Sequence, residues 1–159
     1  MHNTTFSKLK PYQKALLKEA ESVMKNAYNL MSHFYVGAAL QTKKGKIFKG
    51  TFAENSSCGL TICAEVAAIL AANTQKERNY QTIAVIGAGE KFDCLDPVTP
   101  CGRCRQFIYD FAQISGHDIE IICSNTKKDK IIITSIKELL PLPFGPKDVA
   151  EDATRFQTE

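Results

Sequence analysis

Two short segments hold the residue types from which a metal-assisted hydrolysis can be built: Cys63-Ala64-Glu65 and Pro100-Cys101-Gly102-Arg103-Cys104. A pair of cysteines with two residues between them, at a helix start, can put both sulfurs on one ion. Cys63, at the start of a different helix, adds a third. Helix N-termini favour negative charge, which lowers a thiol pKa and suits metal binding. Three protein ligands leave the fourth tetrahedral position open for water, the arrangement of catalytic rather than structural zinc. Glu65 lies two residues after the first ligand, on the first turn of its helix. It can point toward the open position without being a ligand, take a proton from the water there and pass it on. The plainer reading makes Cys63 and Cys104 buried apolar cysteines and Glu65 a surface carboxylate. It suits each residue alone, but not all of them in this order at helix starts.

The elements that must position these residues are readable from hydrophobic spacing. Leu16, Leu17, Ala20, Val23, Met24, Ala27 and Leu30 recur at helical intervals, predicting a helix over 12–30 with Pro11 at its first turn. Residues 36–41 and 47–51 read as an antiparallel strand pair joined by Lys43-Lys44-Gly45. The alanine-rich stretch 62–72 predicts a closely packed central helix. Residues 83–86 form a continuous apolar strand ended by Gly87 and Gly89. A helix opened by Pro100 follows over 101–113, then strands at 119–123 and 131–133. A short helix at 135–139 carries a capping box of Ser135 and Glu138. Pro141, Pro143 and Pro146 break regular structure. Helices alternating with strands predict an α/β domain layered around a mixed sheet. It is expected over residues 1–150, with a polar, poorly ordered tail at 151–159.

The chain has 159 residues, enough for one domain and one core. Lys plus Arg is 20 and Asp plus Glu is 17, a net charge of +3 that falls short of a nucleic-acid binder's basic patch. With 44% hydrophobic and 23% charged residues, the composition excludes a disordered, collagen-like or coiled-coil chain. The aliphatic run from Val66 to Ala72 is far shorter than the roughly 20 residues a membrane helix needs. The N-terminal residues lack the apolar core of a signal peptide. A cytoplasmic location is therefore expected, with reduced thiols, and the six cysteines read as ligands, nucleophiles or core residues rather than three disulfides. Gly87-Ala88-Gly89 is not a dinucleotide motif, because Phe92 stands where the third glycine belongs. His33 reads as a structural hydrogen-bonder, and His2 and His117 as surface residues. Cys58, Cys94 and Cys123 read as core or exposed thiols, with Cys58 a candidate to line the site.

The two cysteine segments match the pattern of zinc deaminases, which use three cysteines and a non-ligand glutamate. Further blocks in order are Ser32-His33-Phe34-Tyr35-Val36-Gly37-Ala38-Ala39-Leu40, Phe48-Lys49-Gly50, Glu54-Asn55, Arg105-Gln106 after Cys104, Glu138-Leu139-Leu140-Pro141 and Phe144-Gly145-Pro146. Over most of its length the chain resembles the small, homotetrameric cytidine deaminases. The resemblance implies a three-layer α/β/α sandwich with a five-stranded mixed sheet. It implies one zinc ion per subunit on Cys63, Cys101 and Cys104, with Glu65 as proton shuttle. The implied substrate-binding positions are Phe34 beside the base, Glu54 at the ribose hydroxyls, Phe52, Ala64, and Phe144 reaching a neighbouring subunit's site. The implied reaction is hydrolytic deamination of cytidine and deoxycytidine in pyrimidine salvage, with zinc-bound hydroxide attacking C4. It implies a homotetramer with shared active sites, acting on a free nucleoside and needing neither nucleic acid nor a membrane.

Two positions depart from the family pattern. Relatives usually carry Asn two residues before the ribose-binding Glu, where this chain has Phe52. Phe cannot hydrogen-bond a sugar hydroxyl, so either the sugar preference is altered or Asn55 or Ser56 supplies the contact. Many relatives have Arg after the catalytic Glu, where this chain has Val66. Three thiolates leave zinc with a net charge of −1, and Arg103 or Arg105 is expected to offset it, unless both are solvated or serve a subunit interface. The arginine-flanked second motif and the missing Arg also resemble blasticidin S deaminases. A deaminase of a modified aminopyrimidine nucleoside is therefore the second reading.

Overall fold

A strand covered by helices on both faces must be apolar throughout, and a helix resting on it must present small residues wherever backbones meet. The computed structural model, which describes residues 1–158, shows both conditions met. The chain runs β1 (His2–Thr4), α1 (Pro11–Met24), β2 (Phe34–Thr42), β3 (Ile47–Thr51), α2 (Ala64–Thr74), β4 (Tyr80–Gly89), α3 (Gly102–Ser115), β5 (Glu120–Ser124), β6 (Ile131–Ser135) and α4 (Ile136–Leu139). The strands form one sheet in the order β1-β6-β5-β4-β2-β3. Only the β4–β5 pair is parallel.

Side chains of β4 alternate between two cores. Ala84 and Ile86 join Leu16, Leu17, Ala20 and Met24 of α1 on one face. Ile83 and Val85 join residues of α2 and α3 on the other. The result is three layers, α/β/α, around a mixed sheet. The sheet has six strands rather than the expected five. The extra strand, β1, is His2-Asn3-Thr4, which has no apolar alternation to betray it. It pairs antiparallel with the free edge of β6, and the Phe6 amide donates to the Lys128 carbonyl at 3.1 Å just beyond it.

Helix α1 stops at Met24, short of the expected Leu30, which is 68% exposed. Its backbone beyond the helix is drawn to the far end of β3: Tyr28 N–H donates to the Phe52 carbonyl at 3.0 Å, and Glu54 N–H to the Tyr28 carbonyl at 2.7 Å. His117 is half-buried rather than a surface residue, its ring nitrogens 2.7 Å and 2.8 Å from the carbonyls of Ser115 and Tyr80. The polar stretch 151–158 lies along the end of α3. Gln157 Nε2 donates to the Ser115 carbonyl at 2.8 Å, and Thr158 Oγ1 accepts from Arg78 N–H at 3.1 Å.

Two glycines set the height of the helices above the sheet. A Cβ on Gly37 would sit 2.1 Å from the Ala20 carbonyl oxygen of α1. A Cβ on Gly50 would sit 2.2 Å from the Ala68 nitrogen and 2.3 Å from the Ala64 oxygen of α2. The α2 backbone therefore rests directly on β3, which accounts for the alanines along that helix. Gly50→Ala is expected to cost about 1–3 kcal/mol of stability, because backbone rather than a flexible side chain must move. Gly59→Ala, whose new methyl meets nothing within 4 Å, should stay near wild type. Urea-unfolding midpoints of the two variants check this.

Candidate active site

The antiparallel register brings the start of β2, the end of β3 and the end of β4 to one edge of the molecule, with Phe34 opposite Gly89 and Gly37 opposite Thr51. Helices α2 and α3 both begin at that edge. Cys63 is the N-cap of α2, Cys101 is the N-cap of α3, and Cys104 lies in the first turn of α3. Their sulfurs all lie within 4.8 Å of one another. Cys63 Sγ is 4.0 Å from Cys101 Sγ, which is 3.6 Å from Cys104 Sγ. Sulfurs placed tetrahedrally on zinc at about 2.3 Å would be about 3.8 Å apart, so this set fits the ion without rearrangement. Three soft donors at two helix N-termini also match its chemistry.

The electrostatics of the cluster are divided. The Cys63 thiol is pulled down to about 6, chiefly by hydrogen bonding with Cys104, against burial and with help from Cys101 and the Arg103 charge. Cys104, buried, is pushed up by its hydrogen bond to Cys63 and by burial. Glu65 is buried at the second position of α2, and burial raises its carboxyl to about 7. Its neighbour Ala64 is fully buried against β3. Cys123, buried in the core, is pushed up to about 12 by burial and the nearby Glu65. That makes it an inert core thiol.

The two arginines do different things. Arg103 Nη1 reaches the carbonyls of Thr61 at 3.2 Å and Gly59 at 3.4 Å, in the segment leading into Cys63. Arg105 donates to the carbonyls of Pro100 at 2.8 Å and Leu139 at 3.1 Å, tying the approach to Cys101 to the end of α4. Of the two, Arg103 is the one whose charge helps lower the Cys63 thiol.

Glu54 is buried just past β3, and its carboxylate accepts from Met31 N–H at 2.7 Å and Ser32 N–H at 3.0 Å. Hydrogen bonding from Ser32, then from Met31, holds this carboxyl below the usual range. Phe34 opens β2, with its ring over Gly87. Phe52 is half-buried at the same edge. Asn55 Oδ1 is taken by Ser57 N–H at 2.8 Å within its own turn. Cys58 is exposed in the turn Cys58–Leu60. His33 pairs with Glu90 at 3.3 Å and stays outside the sulfur cluster. Phe144 is 67% exposed on the segment after α4, with its carbonyl held at 2.9 Å by Nε2 of Gln106, two residues beyond Cys104 on α3. A cavity of about 400 Å³ among Tyr109, His117, Asp118 and Lys147 lies near the other end of α3, away from this chemistry. Phe92, whose ring centroid is 6.3 Å from that of Phe34, is the neighbour sequence reasoning missed. It sits in a loop with no periodic pattern.

Comparison with known proteins gives a consistent picture. The family model of the cytidine and deoxycytidylate deaminase zinc-binding region matches residues 11–116. A cytidine deaminase of Halalkalibacterium halodurans is 39% identical over 134 residues, covering 84% of this chain and 95% of that protein. A blasticidin-S deaminase of Bacillus cereus is 33% identical over 113 residues, covering 69% and 76%. The crystal structure of cytidine deaminase from Burkholderia pseudomallei superposes with a TM-score of 0.73 at 34% identity, covering 86% of this chain and all of that one.

The local charges predict a measurable asymmetry. In metal-free protein, iodoacetamide alkylation of Cys63, followed by mass spectrometry, should have its midpoint near pH 6. Below that pH the thiol is protonated and unreactive. Arg103→Gln should move the midpoint upward, since a thiolate stabiliser is lost, and Arg105→Gln should leave it in place.

Proposed function

The chain is a member of the cytidine and deoxycytidylate deaminase zinc-binding family, and from that membership we propose that it hydrolyses cytidine and deoxycytidine to uridine and deoxyuridine, releasing ammonia. The observation that carries this reading is the buried Glu65 carboxyl, poised near neutrality beside three converging sulfurs. A purely structural zinc site has no use for such a group.

Cys63, Cys101 and Cys104 would hold zinc, which when bound supplies the Lewis acidity that activates water at neutral pH. Glu65 does the proton work. A carboxyl balanced near pH 7 can accept a proton from the attacking water and deliver it to N3 of the pyrimidine; it can then take the second proton from the new C4 hydroxyl and pass it to the departing amine, leaving the C4 carbonyl. Phe34 walls the base, Ala64 at the first position of α2 lies beneath it, and Glu54, kept ionised by its backbone donors, receives the ribose hydroxyls. Phe52 faces the sugar in place of the family Asn. Arg103 offsets the thiolate charge that Val66 leaves uncompensated, and Arg105 holds α3 in place.

The same reading makes the enzyme a homotetramer. Cys101 and Phe144 are open in the single chain, and an exposed aromatic on a proline-rich segment suits insertion into a neighbour's site. Among the described residues no helix is long and apolar enough to cross a membrane. We place its role in the cytoplasm, in salvage of free nucleosides without nucleic acid or membrane, a setting in which thiols stay reduced for metal. Phe52, Val66 and the blasticidin-S deaminase relative favour one second reading, a modified aminopyrimidine nucleoside as substrate.

Loss of ultraviolet absorbance on mixing zinc-loaded protein with cytidine, deoxycytidine or blasticidin S ranks the substrates; rapid cytidine loss is the expected result. Glu65→Gln should keep zinc and lose about 10²–10⁴-fold in kcat. Glu65→Gln and Phe144→Ala subunits, each inactive alone, should regain partial activity when unfolded and refolded together. Absence of any recovery would argue against sites shared between subunits.

A further inference from the structure

Alternation along β2 sends Val36, Ala38 and Leu40 into the core beneath α2 and α3, and Phe34 falls in the same series. Phe34 therefore stands on the face that carries the three sulfurs. One side of its ring meets Gly87 and lies near Val98, three residues before Cys101: a Cβ on Gly87 would be 3.3 Å from the Phe34 ring and 3.2 Å from Val98 Cγ2. Phe92 lies beside it, with the ring centroids 6.3 Å apart and the rings tilted by 31°. Phe92 is 62% exposed and belongs to neither core cluster.

An exposed ring of this size is nevertheless firmly placed. It lies flat on Gly89, where an added Cβ would fall 2.2–2.5 Å from three of its carbons. Gly89 N–H donates to the Phe92 carbonyl at 2.9 Å, and Glu90 N–H to the His33 carbonyl at 2.8 Å. Beyond the ring, Cys94 N–H donates to Thr126 Oγ1 at 2.8 Å, and that hydroxyl donates to the Gly87 carbonyl at 2.8 Å. The loop is thus fastened to the start of β2 on one side and to the β5–β6 turn on the other. Its aromatic face is prepared before any ligand arrives, which saves ordering cost on binding.

We propose that Phe92 is a specificity-determining residue. It extends the aromatic wall begun by Phe34 and packs against the bound pyrimidine nucleoside, with Gly89 as the seat that keeps it there. This rests on the nucleoside deaminase reading above. A wall that holds substrate and transition state alike changes KM and spares kcat.

Steady-state kinetics on cytidine, with zinc content and unfolding midpoint measured in parallel, test it. Phe92→Ala should raise KM about three- to tenfold, the range for one aromatic contact, with kcat within twofold and zinc unchanged. Phe92→Tyr should stay near wild type. Gly89→Ala, which keeps the ring but unseats it, should reproduce the KM rise in the wild-type background and add nothing in the Phe92→Ala background. An unchanged KM in Phe92→Ala, with active wild-type enzyme, overturns the inference alone. A fall in kcat together with zinc loss also overturns it, showing a structural role. Wild-type protein that holds zinc and binds no pyrimidine nucleoside overturns the deaminase reading and this inference together.

Discussion

The contact on which the site depends is the bare backbone approach of α2 to β3 at Gly50. With Ala64 and Ala68 pressed on a strand that has no side chain there, the helix has one height and one register above the sheet. Its N-cap is Cys63, so the contact also sets one of three sulfurs. The other two are set by α3, where Arg105 joins the Pro100 carbonyl, just before Cys101, to the Leu139 carbonyl at the end of α4. Two independently anchored helix starts thus meet at one point. Close packing resists compression, so sulfur spacing of this kind is a property of the core rather than of the loops.

That arrangement sets opposed electrostatic demands within a few ångströms. The thiol of Cys63 is favoured as an anion, whereas the carboxyl of Glu65, in the first turn of the same helix, is kept neutral to about pH 7 by burial. A helix N-terminus helps the first and apolar surroundings govern the second. Arg103 adds a positive charge from the opposite helix, reaching the chain just before Cys63. The Glu65 carboxyl and the three sulfurs are therefore tuned by neighbouring but different causes, which is how one small edge can hold both.

Loops complete what the helices begin. The Glu54 carboxylate gathers the amides of Met31 and Ser32, and so fixes the approach to His33 and Phe34. The Glu90–Asp96 region is then clipped to His33 and to Thr126. These loop positions are in this way linked by hydrogen bonds to the strand ends that carry them.

Much of this was legible in the chain itself. The spacing of Cys63, Glu65, Cys101 and Cys104 names the chemistry because few other reactions need those groups in that order. Helix α1 announced itself through the period of 3.6, and the central strand and α2 through unbroken apolar or alanine-rich runs, since a surface must be apolar wherever it is covered. What remained hidden depends on partners distant in sequence. The polar strand His2–Thr4 exists only because β6 offers it an edge, and the early end of α1 follows from capture of Tyr28 by Phe52 and Glu54. The division of labour between Arg103 and Arg105 turns on which carbonyls each guanidinium can reach. Likewise, nothing local marks Phe92; it comes beside Phe34 only when the end of β4 is laid against the start of β2. Residue types and spacing determine what reaction is available, whereas tertiary contacts decide which neighbours hold, tune and enclose it.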